Sequence, residues 1–184
     1  MFLYLFHIWM ATILAMTPKQ TKELCSQSNT SFMIGEKITY TIFYNVIGLY
    51  VNAGNAQFTV TPTKWEGDAA FAFTATGYSN RSYDWIFKVR DKYESIVDSK
   101  TLLPYFFSRS INEGSFHQNQ TLTFNQKSNE VNTHKGESFK AADCTFDVIS
   151  AVYAVRNLDF SNLQVNEKVY LNFFLDNELF PSYF

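Results

Sequence analysis

From Lys37 onward the sequence alternates, and this period of two is what most restricts the fold. In Lys37–Tyr44 (KITYTIFY), Ile38, Tyr40, Ile42 and Tyr44 fall on one face and Thr39, Thr41 and Phe43 on the other. That is the pattern of a strand whose successive side chains point to opposite faces. Asn55–Thr63 and Ala69–Tyr78 repeat it, and Trp65-Glu66-Gly67-Asp68 between them reads as a hairpin turn. Further strands are expected at Trp85–Val89, Tyr93–Asp98, Tyr105–Asn112, Ser115–Asn125 and Val169–Leu175. Asn112-Glu113-Gly114 and Lys127-Ser128-Asn129-Glu130 carry turn chemistry. Strands this closely spaced predict a meandering antiparallel sheet.

One segment changes period. Phe146–Asn157 (FDVISAVYAVRN) places Val148, Ile149, Val152, Tyr153 and Arg156 on one helical face. Thr145 reads as the N-cap, Asp147 as an acid in the first turn and Arg156 as a cation near the C-terminal end. The expected fold class is therefore mainly β: a curved antiparallel sheet or open barrel with one packed α-helix at about 146–157.

Composition narrows the function classes. Lys+Arg number 15 and Asp+Glu 17, a net charge of −2. The basic excess with which nucleic-acid binders neutralise phosphates is missing, so nucleic acid is not an expected partner. With 46% hydrophobic and 17% charged residues the chain is not compositionally disordered.

Phe2–Met16 (FLYLFHIWMATILAM) is apolar apart from His7 and Thr12. It is shorter than the ~20 residues needed to cross a bilayer and reads as the core of a secretory signal over residues 1–20. The first basic residue, Lys19, follows the run instead of preceding it. Residues 21–184 are expected to form a single β-rich domain in the periplasm or cell envelope. Phe180-Pro181-Ser182-Tyr183-Phe184 reads as the start of a strand, not a frayed tail, which suggests that the native chain continues past Phe184. Export makes the two cysteines, Cys25 and Cys144, candidates for a disulfide, with two free buried thiols as the other reading. A bridge would close a long loop, for which the chain-entropy relation gives about 4–5 kcal/mol.

Catalytic chemistry is sparse. His117 and His134, the histidines outside the leader, have no metal-type spacing with Cys, Asp or Glu, and no metal is expected. The seven glycines are scattered, so there is no phosphate loop, and G-x-S-x-G is absent. No cofactor and no catalytic residue is assigned. Asp91, Glu94 and Asp98, or Asp176 and Glu178, are the carboxylates available for glycan hydrolysis. Lys88, Arg90 and Lys92 interleave with the first group, as on a solvated strand face. Tyr83-Asp84-Trp85-Ile86-Phe87 is the densest aromatic stretch. On a strand, Tyr83, Trp85 and Phe87 would share a face, as core or as the wall of a groove for an acyl chain or sugar ring.

Several strings occur together in order: GEKITYTIFYN (35–45), VNAG (51–54), YDWIFKVRDKYES (83–95), NEG (112–114), CTFDVISAVYAVRNLDFS (144–161) and LDNELFP (175–181). In this order they resemble the exported bacterial family of unknown function numbered 3108, especially its Bacteroidetes-type members. The resemblance implies an envelope location, a mostly antiparallel β-fold with one helix, and further strands beyond Phe184. It also implies a cysteine at both positions and so favours the Cys25–Cys144 bridge. It carries no activity, cofactor or catalytic residue. The expected function is non-enzymatic binding of an amphipathic ligand, a lipid or glycolipid, in the concave sheet, with Tyr83, Trp85 and Phe87 as wall residues. The alternatives are an envelope glycan hydrolase using Asp91 or Glu94, and an assembly partner that pairs strands with another envelope protein.

Overall fold

A computed structural model describes residues 22–25 and 27–184; the expected signal over 1–20 lies outside the described residues. Eight strands form one antiparallel sheet in sequence order. They are β2 (Lys37–Val46), β3 (Leu49–Trp65), β4 (Asp68–Ser79), β5 (Arg90–Asp98), β6 (Pro104–Glu113), β7 (Phe116–Asn125), β8 (Glu130–Thr133) and β9 (Ser138–Lys140). The sheet does not close: β2 and β9 remain its edges. The predicted turns fall where expected. Glu66 and Gly67 both take positive φ between β3 and β4, and Asn129 does so between β7 and β8.

A second, smaller sheet covers part of this one. Its centre is β11 (Val169–Leu175), paired antiparallel with β12 (Glu178–Tyr183). The terminal strand-like segment is thus a strand. The other edge of β11 takes two short parallel partners, β1 (Lys22–Glu23) and β10 (Thr145–Phe146). Cys25 follows β1, Cys144 precedes β10, and the two are bridged, with Cα atoms 5.1 Å apart. The bridge therefore ties together two strands that share one edge of β11 but lie far apart in sequence.

The helix α1 spans Val148–Arg156. Its N-cap is Asp147, not Thr145, which belongs to β10. The Asp147 carboxylate accepts from the Ile149 and Ser150 backbone N–H groups at 2.8 and 2.9 Å, and the Ser150 hydroxyl reaches back to the Asp147 N–H. This reciprocal cap satisfies the donors that a helix start leaves open. Ser95 on β5 also donates to Asp147, at 2.5 Å, fastening the helix to the sheet. Asp147 is fully buried, and burial pushes its carboxyl above the ordinary range against these hydrogen bonds. At the other end Arg156 clamps Glu36 through two bonds of 2.6 and 2.9 Å.

The main core lies between these layers. Val60, Phe73, Ser95, Phe107 and Leu122 form one row across β3 to β7, each directly opposite the next and all fully buried. Tyr153 of α1 stacks on Phe73 with ring centroids 3.9 Å apart, and Phe32 meets both rings edge-on. Offset and edge-to-face contacts of this kind add to simple burial. Among the described residues no helix is long and apolar enough to cross a membrane.

Candidate functional site

The covering layer stops partway along the sheet. Beyond it the same face opens into a groove of about 660 Å³. Its floor is formed by Gly54 of β3 and Gly77 and Ser79 of β4. Small residues here leave space where the buried end carries Val60 and Phe73. A side chain at Gly54 is excluded: its Cβ would lie 2.3 Å from the Tyr78 carbonyl oxygen. Gly54 sits where β2 and β3 slip register between Ile42 and Phe43, so the VNAG string marks a bulge and a close strand approach. Gly77 is different, because the nearest atom to a Cβ there is the Asp91 Cβ at 3.9 Å. At Gly77 the space is cavity, not backbone.

One wall is Ile42, Tyr44 and Val51 of the β2–β3 hairpin. The opposite wall is the segment that joins β4 to β5, contributing Tyr83, Ile86 and Phe87. This segment is not the strand expected at Trp85–Val89. Arg81–Tyr83 form a short 3-10 turn capped by Asn80, whose side chain accepts from the Ser82 N–H at 3.1 Å. Asp84 then pins the segment: it accepts from the Ser79 hydroxyl at 2.5 Å and pairs with Arg90 at 2.6 Å. Those two contacts hold the Asp84 carboxyl below its ordinary range. A side chain hydrogen-bonding its own local backbone competes with strand formation, which the alternating aromatics of this stretch concealed.

Tyr83, Trp85 and Phe87 therefore do not share a strand face. Tyr83 and Phe87 line the groove, whereas Trp85 does not. Trp85 is 82% exposed, and its indole N–H donates to the Ser82 carbonyl at 3.1 Å. Phe87 rests over the β6–β7 turn, where a Cβ on Gly114 would come within 2.9 Å of its ring. Gly114 also has positive φ, so the NEG turn needs glycine on both counts.

The groove carries two carboxylates, Asp91 and Glu113. Glu113 bridges across to Val89, which sets it diagonal to Asp91 on the same face. Burial raises the Glu113 carboxyl above its ordinary range, and the neighbouring Asp91 raises it further. Asp91 also accepts from the Asn112 N–H at 2.8 Å. The carboxylates grouped by sequence separate. Glu94 lies on the opposite face and bonds Lys92 at 3.1 Å, while Asp98 holds the β5–β6 turn and the Tyr105 hydroxyl, the latter at 2.7 Å. Asp176 pairs with the buried Arg109, and Asn177 accepts from Gln120 at 2.9 Å. The LDNELFP turn thereby docks the small sheet on the large one. Only the register of β5 against β6 reveals the Asp91–Glu113 pair; no spacing within the sequence encodes it.

Asp91 and Gly77 also border a second cavity of about 420 Å³, between the sheet and the start of α1. Its lining includes Phe58, Tyr93, Arg109, Ile149 and Val152. The two cavities run on from each other along one face. Among the described residues no group of His, Cys, Asp and Glu is placed to hold a metal ion.

The architecture is an open antiparallel sheet, half covered, with an apolar groove at its uncovered end. Residues 39–184 match the family model described as protein of unknown function (DUF3108), and the chain belongs to that family. No curated protein and no solved structure matches it.

Proposed function

We propose that the protein is an exported bacterial envelope protein that binds one amphipathic ligand, a lipid or glycolipid, in the groove. The observation that carries this reading is the groove itself. A space of about 660 Å³ with small residues on its floor and aromatic walls is of the size and character that takes an acyl chain or a ring. Its two carboxyl groups, Asp91 and Glu113, lie diagonal to each other on neighbouring strands, matching a ligand with one polar end. The adjoining cavity extends the length available to a chain. Export is supported by the apolar run Phe2–Met16, the Cys25–Cys144 bridge and the resemblance to Bacteroidetes-type members of the family.

Titration with a fluorescent long-chain fatty acid tests the reading. The wild type should show saturable binding with one site per chain. Gly77→Leu should weaken it at least roughly tenfold by filling the floor, a lost side-chain burial of more than ~1.4 kcal/mol. Gly77 lacks both a positive φ and a close neighbour, so its melting temperature should change little. Unchanged affinity in Gly77→Leu would place the ligand elsewhere.

A further inference from the structure

Beyond Gly54, opposite Ser79 at the end of β4, the β2–β3 hairpin has no third strand beside it among the described residues. It continues as a two-stranded ribbon whose residues Phe43, Tyr44, Ile47, Leu49 and Tyr50 are all exposed, Ile47 at 99%. Between Lys37 and Lys64 there is no Asp, Glu, Lys or Arg. The turn itself sharpens the point. Ile47 and Gly48 both take positive φ, 51° and 83°, a turn that favours Asn-Gly. A β-branched residue at positive φ is unfavourable for the backbone, and fully exposed it gains nothing from packing.

The segment on the other side of the groove mouth is built alike. Trp85 and Ile86 are exposed, and Arg81 and Lys88 bracket them. Neither cation is in an ion pair among the described residues, while the acid between them, Asp84, is engaged by Arg90. Aliphatic tips with Trp and Tyr beside them suit the boundary between lipid headgroups and acyl chains, and cations outside close ion pairs beside them suit anionic headgroups.

We propose that the groove mouth docks on an anionic lipid bilayer, with the ribbon tip at Ile47 and Leu49 and the Trp85–Ile86 turn entering the headgroup–acyl boundary. This deepens the lipid-binding reading above: the docked face is the opening through which a lipid would pass. Ile42, Tyr44 and Val51 continue from the ribbon into the groove wall.

Flotation with vesicles tests it. The full chain should float with phosphatidylethanolamine–phosphatidylglycerol vesicles and much less with phosphatidylcholine alone. The double variant Ile47→Asp, Leu49→Asp should lose roughly tenfold or more of that partitioning. It should keep its melting temperature, because both sites are exposed and Asp tolerates positive φ better than Ile. Arg81→Gln with Lys88→Gln should abolish the preference for anionic vesicles. Gly77→Leu should still float, and the ribbon variant should still bind the fluorescent fatty acid, so the two readings fail separately. Wild type that does not float, or a ribbon variant that floats as well as wild type, overturns the proposal. So does light scattering that shows a wild-type dimer turned monomeric by the ribbon substitutions, because the tip would then be covered by a second copy.

Discussion

Strands β3 to β6 are sealed at one end and open at the other, on the same face. At the sealed end Val60, Phe73, Ser95 and Phe107 stand in one row, fully buried beneath α1 and the small sheet. A few residues along the same strands, Gly54, Gly77, Ser79 and Asp91 border a groove. Alternation decides which face a side chain occupies. It does not decide whether that face becomes core or cavity. The covering elements decide that, and they are held by the Cys25–Cys144 bridge, the Asp147 cap and the Arg109–Asp176 pair.

Substitutions at the two ends should accordingly behave differently. The largest effect is expected from removing the bridge. Cys25→Ser with Cys144→Ser should cost about 4–5 kcal/mol in urea unfolding, since the bridge spans a sequence separation of 119. Phe107→Ala, at the sealed end, should cost about 3–5 kcal/mol through lost burial and the cavity left behind. Ile86→Ala, at the open end, should cost under about 0.5 kcal/mol, because Ile86 is 64% exposed. Equal costs at Phe107 and Ile86 would break the contrast between the two ends.

The smallest effect concerns pH. The folded protein holds the Glu113 proton to higher pH than the unfolded chain, because burial and then Asp91 raise its carboxyl. Stability should therefore fall as pH rises out of the ordinary carboxylate range and through the raised value. Glu113→Gln should melt slightly above wild type at pH ~7 and match it below pH ~4. The reverse order would mean that Glu113 is stabilised as an anion. The Glu36–Arg156 clamp has the opposite sign: its stabilisation is present at neutral pH and is lost as pH falls through the carboxylate range.

The large sheet was legible because its strands alternate and its turns carry Gly, Asn and Asp at the bends. The helix was legible from its change of period, to within two residues at its start. The small sheet was not: β1 and β10 are two residues each, and parallel pairs to β11 leave no local signal. At Tyr83–Phe87 the aromatic alternation pointed to a strand, but Asn80 and Asp84 turn the chain through their own hydrogen bonds. That local chemistry moved Trp85 out of the groove while leaving Tyr83 and Phe87 on its wall. The Asp91–Glu113 pair depended on strand register, which composition and spacing do not carry.

Native mass spectrometry of the protein purified from its expressing cells tests the central claim most directly. The account predicts excess mass on the wild type that disappears after organic extraction, and its loss in Gly77→Leu, whose fold is intact. A bare wild-type mass, or the same adduct on both proteins, would contradict it.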